Sequence, residues 1–298
     1  MHVYCYVQQE LINRIKKRLE GEAYMENDME NDMQNDMQND MQNDMLHENE
    51  RIDDLQLNGL RIIQNPKGFC FGIDAVVLSH FINLKRNDIA VEFGTGTGII
   101  PILLSGKTSF KKILAFEVQE KVANMAKRSI LLNHLEDKIE IINDNLRQAP
   151  NYFKPQSVNV VFSNPPYMST QGGIKNPSDQ KAIARHEVLC TLEDIIKQAS
   201  YLLCDGGQFY MIHRPHRLVD IVALCRTYHL EPKEIRMIQP YADKKPNIFL
   251  IRCAKRGKPD LKFQDPLIVY KAPGVYSDEI YKIYGMTNIT SFTKNQEV

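Results

Sequence analysis

Ile89-Ala-Val-Glu-Phe-Gly-Thr-Gly-Thr-Gly-Ile-Ile100 decides the fold. Ile89–Phe93 is an apolar, β-branched run, which reads as a strand. Gly94, Gly96 and Gly98 punctuate a turn, and Ile99, Ile100, Ile102, Leu103 and Leu104 continue as a helix. A glycine-rich turn between strand and helix lets a ligand approach the backbone, and the helix start offers free N–H groups. The glycines fall at i, i+2 and i+4. The dinucleotide fingerprint needs its third glycine at i+5, and no Gly-Lys-Ser/Thr follows to make a phosphate loop. Glu92, just ahead of the first glycine, suits a ligand that carries an ammonium group. A strand, Glu-x-Gly-x-Gly-x-Gly and a helix together point to S-adenosylmethionine, held by Glu92, Gly94, Thr95, Gly96 and Gly98.

The neighbouring segments extend that site. Lys112–Phe116 reads as the next strand and ends at Glu117, where an acidic residue commonly takes ribose hydroxyls. A helix over 119–133 leads to a strand over 138–142, after which Asp144 can accept from an adenine amino group. Upstream, Gln64–Ser79 reads as a loop running into a helix, with Asp74 as its cap and Ala75, Val76 and Leu78 inside it. Phe69 and Phe71 flank that loop. Phe71 and Asp74 are expected to form one wall of the cofactor pocket.

Downstream, Ser157-Val-Asn-Val-Val-Phe-Ser-Asn-Pro-Pro-Tyr-Met168 opens as a strand and stops at Asn164-Pro165-Pro166-Tyr167. Two prolines cannot extend a ladder, since neither has an N–H and both fix φ. Asn164, which precedes a proline, is pushed toward extended geometry. The result is a stiff corner at the carboxyl end of a strand, where open α/β sheets bind ligands. It presents the Asn164 side chain and the Pro165 carbonyl as acceptors, and Tyr167 as an aromatic face. Those parts suit gripping a planar amino group. Two acceptors that take both of its hydrogens favour a more tetrahedral nitrogen, whose freed lone pair can attack a methyl group. Tyr167 can stack on the attached ring, an interaction worth about 1–3 kcal/mol for a base.

The remaining chain continues the alternation of strands and helices. Residues 168–189 form a long polar stretch, read as a lid, in which Lys181, Arg185 and His186 are candidates for RNA contact. A helix over 191–203, a strand over 207–213, a helix over about 215–229 and strands near 233–239 and 247–253 follow. This pattern predicts an α/β fold with helices on both faces of a seven-stranded, mostly parallel sheet. The last strand follows its predecessor without a helix, so it inserts antiparallel. Lys255 and Arg256, in a basic Lys-Arg-Gly-Lys run, are further RNA-binding candidates, and Pro266–Tyr270 is a short late extended piece.

Composition limits the alternatives. The 298 residues are 43% apolar and 25% charged, enough for one large domain with appendages. No run approaches the roughly 18 apolar residues of a membrane span, and the N-terminus lacks the basic and apolar segments of a secretory signal. Six scattered cysteines without a Cys-x-x-Cys pair read as reduced thiols of a cytoplasmic protein, with no metal site. The formal charge of zero conceals two opposite parts. Residues 1–54 hold 5 basic and 14 acidic residues, a net of −9; residues 55–298 hold 32 and 23, a net of +9. A basic folded part suits a nucleic-acid partner. Residues 5–22 have the spacing of a short amphipathic helix, and Met25–Met45 repeats an Asn-Asp-Met unit of a composition that resists packing. Residues 1–54 are therefore read as an acidic low-complexity tail, 55–285 as the folded domain and 286–298 as a second tail.

Taken together these motifs resemble a known family. Glu92-Phe-Gly-Thr-Gly-Thr-Gly98 looks like motif I of the class I methyltransferases, and Asn164-Pro-Pro-Tyr167 like motif IV of their amino-methylating branch. Gln64–Leu78, Ala184-Arg-His-Glu187 and Pro266-Leu-Ile-Val-Tyr270 resemble segments of the bacterial tRNA1(Val) (adenine(37)-N6)-methyltransferase family. The resemblance covers about 55–285. It implies a Rossmann-like enzyme of tRNA processing that methylates N6 of the adenosine 3′ of an anticodon, with S-adenosyl-L-methionine as donor and the four residues of the corner at the catalytic site. Glu92, where Asp is frequent, and the acidic tail depart from the pattern. The same corner serves enzymes that methylate a protein glutamine or guanine N2 of ribosomal RNA. A glutamine enzyme usually carries a helical domain ahead of the sheet, for which residues 1–54 are too short and polar; guanine enzymes tend toward Phe at the position of Tyr167. A non-catalytic RNA-binding module is the remaining alternative. Oligomeric state stays open.

Overall fold

The computed structural model describes residues 45–68, 70–167 and 190–286. The amphipathic segment over 5–22, most of the Met repeat, Phe69, the lid over 168–189 with Lys181, Arg185 and His186, and the tail after 286 lie outside the described residues.

β1 (Arg51–Asp54) and β2 (Arg61–Gln64) form an antiparallel pair, and α1 (Ile73–Phe81) follows. Then come β3 (Ile89–Phe93), α2 (Ile99–Lys107), β4 (Lys112–Phe116), α3 (Glu120–Leu132), β5 (Ile139–Ile142), the short α4 (Ala149–Tyr152) and β6 (Val158–Ser163). The later half holds α5 (Leu192–Leu202), β7 (Leu203–His213), α6 (Leu218–Thr227), β8 (Leu230–Gln239), β9 (Ile248–Lys255) and β10 (Lys262–Ile268). A small hairpin of β11 (Tyr270–Ala272) and β12 (Val275–Tyr276) precedes α7 (Asp278–Ile283). The central sheet has the order β10-β8-β9-β7-β6-β3-β4-β5. All its pairings are parallel except those of β9, which runs antiparallel between β7 and β8. The fold class and the antiparallel insertion are as the sequence predicts.

Strand residues alternate between two cores. Ala90, Ile113, Val160 and Phe162 pack on one face with Val76 of α1, Ile102 of α2 and Ala126 of α3. Val91, Phe116, Val161 and Phe209 pack on the other with Ile196 of α5 and Ile221 of α6. Helices therefore cover both faces, as a parallel sheet requires. Thr191 starts α5 with a reciprocal capping box, its hydroxyl accepting from the Asp194 N–H while Asp194 accepts from the Thr191 N–H.

Several element ends shift by a few residues, and two differences are larger. The main sheet has eight strands, not seven. β10 escapes notice because Pro266 interrupts it, and a proline demotes a run to an edge. At the edge of the sheet the register simply shifts between Gln264 and Leu267. Ordered structure also begins before Leu55. The compact unit that carries the sheet starts at Asn49, and β1 stands where the acidic tail was expected to continue. Glu50 accepts two hydrogen bonds from Arg128 of α3, at 2.5 and 2.9 Å.

Candidate active site

The glycine turn is built by backbone that only glycine adopts without strain. Gly94, Gly96 and Gly98 have φ of 76°, 59° and 85°. The amides of Gly94 and Thr95 both donate to the Phe116 carbonyl of β4 (2.9 and 3.0 Å), which folds the turn over the neighbouring strand end. Glu117 braces it. One carboxylate oxygen accepts from the Gly96 N–H at 3.1 Å and the other from the Gln119 N–H at 2.9 Å. Both oxygens of this buried side chain are thus engaged by backbone on either side of it. Asn143 donates to the Glu117 carbonyl at 2.8 Å, a support that no local motif singles out.

Glu92 is fully buried, and neither of its oxygens has a hydrogen-bond partner; the Thr95 hydroxyl beside it has none either. Burial pushes the Glu92 carboxyl up to about 8, and the Glu117 charge adds to the rise. Buried polar groups are normally partnered. Glu92 is therefore an exception that calls for a partner from outside the described residues. Asp144, after β5, accepts from the Tyr152 hydroxyl at 2.9 Å. Tyr152 in turn stands edge-on to Phe116 with ring centroids 5.5 Å apart.

The Asn-Pro-Pro-Tyr corner lies beside this turn. β3 and β6 are neighbours, with Phe93 opposite Ser163, and the Ser163 hydroxyl donates to the Phe93 carbonyl at 2.8 Å. Gly94 and Asn164 therefore leave the sheet from paired residues, roughly 5 Å apart at the strand spacing. The corner's side chains are locked together. Asn164 donates from its amide nitrogen to Asp74 at 3.3 Å, and the Tyr167 hydroxyl lies 3.0 Å from both Asp74 Oδ2 and Asn164 Oδ1. A carboxylate only accepts, so the Asn164 nitrogen must face Asp74 and its oxygen must face away. Burial and the Asp74 charge push the Tyr167 phenol far up, so it stays a donor.

Asp74 thus joins the amide clamp. The cap at the start of α1 is Gly72, with Asp74 in the first turn, because the carboxylate is drawn across to Asn164 and Tyr167. A Cβ at Gly72 would stand 2.8 Å from Asp74 Oδ1. Phe71 lines a cavity of about 250 Å³ together with Leu57, Val76, Leu103 and Tyr284, which contains no residue of the glycine turn.

Two residues that the sequence reading passed over complete the corner. His213, at the end of β7, meets the Tyr167 ring edge-on at 5.5 Å. Burial, with help from the Arg217 cation, pushes its imidazole down to about 4, so it is neutral at pH 7. The Arg214 guanidinium lies over one face of the Tyr167 ring, 4.7 Å from its centroid. Lys255 and Arg256 do not join the site. β9 runs antiparallel, so they stand at the amino end of the sheet, where Lys255 is buried against Ser200 and Arg256 pairs with Asp205 at 3.1 Å. Among the described residues no cluster of His, Cys, Asp and Glu can hold a metal ion, and no helix is long and apolar enough to cross a membrane.

Comparison with known proteins gives one consistent result. The family model "Methyltransferase small domain" matches residues 72–223, which contain the glycine turn and the corner. The tRNA1(Val) (adenine(37)-N6)-methyltransferase of Porphyromonas gingivalis is 27% identical over 206 residues, 68% of this chain and 80% of that protein. The protein of the same name from Pedobacter heparinus is 25% identical over 211 residues, 70% of this chain and 86% of the other. Among solved structures, a protein of Agrobacterium tumefaciens described as a predicted O-methyltransferase aligns with a TM-score of 0.58 at 20% identity, over 72% of this chain and 96% of the other.

Proposed function

The chain belongs to the methyltransferase small domain family, and from that premise we propose that it transfers a methyl group from S-adenosylmethionine to N6 of adenine in tRNA, at adenosine 37 of tRNA(Val). The relatives that carry this activity in their names support the substrate. The observation that carries the chemistry is the pairing of Phe93 with Ser163, which sets the glycine turn and the Asn164 clamp side by side.

The residues fit the donor. Glu92 and the Thr95 hydroxyl are buried without partners, which suits an ammonium group, and the left-handed glycine backbone leaves room above the turn. Glu92, Gly94, Thr95, Gly96 and Gly98 would hold the methionine end, Glu117 the ribose and Asp144 the adenine. When bound, S-adenosylmethionine supplies an activated methyl group on a sulfonium. The protein's own task is then to hold and orient the acceptor. The target base is flipped out of its stack. Asn164 Oδ1 and the Pro165 carbonyl accept its two amino hydrogens, Pro166 keeps that backbone rigid and Tyr167 stacks on the ring. Asp74 fixes which end of the Asn164 amide faces the base. The clamp consists of acceptors and removes no proton before attack; the proton shed by the methylated nitrogen afterwards passes to solvent, and the clamp's contribution is positioning and polarisation of the nitrogen.

The test is mass spectrometry of nucleosides from tRNA lacking this modification, incubated with the donor and either the wild type or Asn164→Ala. Wild type should yield N6-methyladenosine at position 37. Asn164→Ala should bind the donor as wild type does and lose at least about 100-fold in transfer, the scale of removing one positioned polar group. A methyl group found on guanine and not on adenine, tRNA left unmethylated by the wild type, or an Asn164→Ala variant with full turnover overturns the proposal.

A further inference from the structure

The carboxyl end of the sheet carries a charged edge that none of the roles above uses. β7 ends at His213, opposite Phe249 of β9, so the segment 214–217 and the loop 240–247 leave the sheet together. Ser163 pairs with Met211, which puts both segments on the same side as Asn164. They are tied by a hydrogen bond from the Arg214 guanidinium to the Asn247 carbonyl at 3.0 Å. Arg214, Arg217, Lys244 and Lys245 supply four cations here, and His216 is exposed beside them. Among the described residues, Asp74 is engaged by Tyr167 and Asn164, while Asp220 pairs with Arg217 at 2.8 Å and Asp243 with Lys244 at 3.1 Å. Surface pairs of this kind hold their cations weakly and exchange readily for another anion. Tyr241, in the same loop, tilts against Tyr270 at 5.6 Å and offers a half-exposed ring next to the lysines.

This reading rests on the proposed function. We infer that the edge formed by Arg214, His216, Arg217, Lys244 and Lys245 receives the phosphate backbone of the RNA loop that presents the target adenine, with Arg214 as the innermost contact. A base cannot be gripped by Asn164 unless its own phosphates pass close to the corner. The groups on that side must be cationic to neutralise them. Arg214 is placed for this role, with its guanidinium on the ring of Tyr167 and its planar fork suited to a phosphate. The opposite end of the sheet, with Arg256 and Lys258, is roughly 20 Å away along β9 at 3.4 Å per residue, too far to serve the flipped nucleotide.

Salt-dependent binding separates the two ends. The full-length chain, saturated with S-adenosylhomocysteine, is titrated against tRNA(Val) between 50 and 200 mM salt. Lys244→Gln/Lys245→Gln should lower the salt slope by about 1.4, at about 0.7 for each single-stranded phosphate released. It should raise KM for tRNA while leaving kcat and donor affinity as in wild type. Arg214→Gln should lower the slope by about 0.7 and raise KM as well. Arg256→Gln/Lys258→Gln should change neither. An unchanged slope in the Lys244/Lys245 variant, or a loss confined to the Arg256/Lys258 variant, overturns this inference while the function stands. A wild-type chain that binds no RNA removes both.

Discussion

Glu92 makes the stability of the free protein depend on pH in an unusual direction. Its carboxyl is raised from 4.5 to about 8, chiefly by burial. Below pH 4.5 the group is protonated in both folded and unfolded chains and costs nothing. Between 4.5 and about 8 the unfolded chain has released a proton that the folded chain still holds, so stability falls by about 1.4 kcal/mol per pH unit. Above 8 the loss levels off at about 5 kcal/mol, an upper figure because water entry and relaxation soften burial. Glu92→Gln keeps the shape and removes the titration. The assay is urea unfolding of both proteins from pH 5 to pH 9. The Gln variant should match wild type near pH 5 and exceed it by several kcal/mol at pH 9. Saturating donor should abolish most of the wild-type slope, because a bound ammonium favours the ionised carboxylate. Donor binding near pH 7 should accordingly release close to one proton, read by calorimetry in buffers of different ionisation enthalpy. Parallel stability curves for the two proteins, or donor binding with no proton release, would refute the assignment of Glu92 as the cation's partner.

Three further outcomes follow from named contacts. Asp74→Asn lets the Asn164 amide turn either way, so kcat should fall about 10- to 100-fold with donor affinity retained; a rise in donor Kd alone would return Asp74 to the cofactor wall. Gly98→Ala forces an L side chain into φ of +85° against Ala126, at 3.6 Å an ordinary contact. The backbone alone should therefore cost about 1–2 kcal/mol, measured by thermal unfolding, and no loss would mean that the turn relaxes freely. A chain that begins at Leu55 loses β1 with its four pairings to β2, and with it Glu50, a buried partner of Arg128. It should be at least about 3 kcal/mol less stable than one that begins at Asn49; equal urea midpoints would return the domain boundary to Leu55.

What was legible in the sequence is what depends on neighbours in the chain. The glycines of the turn and the two prolines of the corner each force a backbone conformation by themselves, so the strand ends could be read directly. What was not legible depends on register. Asp74 and Asn164 are 90 residues apart, and nothing local distinguishes a carboxylate that caps a helix from one that crosses to a neighbouring strand end. Arg214 lies in an ordinary-looking His-Arg-Pro, and only the pairing of β7 with β6 brings it onto Tyr167. Lys255 and Arg256 illustrate the converse. Their run of charge reads as a nucleic-acid patch, yet one antiparallel strand carries it to the wrong end of the sheet.

In the proposed mechanism the corner acts through position. Methyl transfer requires one nitrogen lone pair to lie in line with one carbon–sulfur bond, and here both are referred to a single rigid object. β3 fixes the donor's turn, β6 fixes the acceptor's clamp, and the two strands are locked in register by four backbone pairings and the Ser163 hydrogen bond. Local flexing of the corner is resisted by Asp74, which ties it to α1 through both Asn164 and Tyr167. A substitution that loosens this tie should act on kcat through geometry even where every group that touches the donor is intact. The position of two adjacent strand ends, more than the acidity of any one side chain, is therefore what the fold contributes to the reaction.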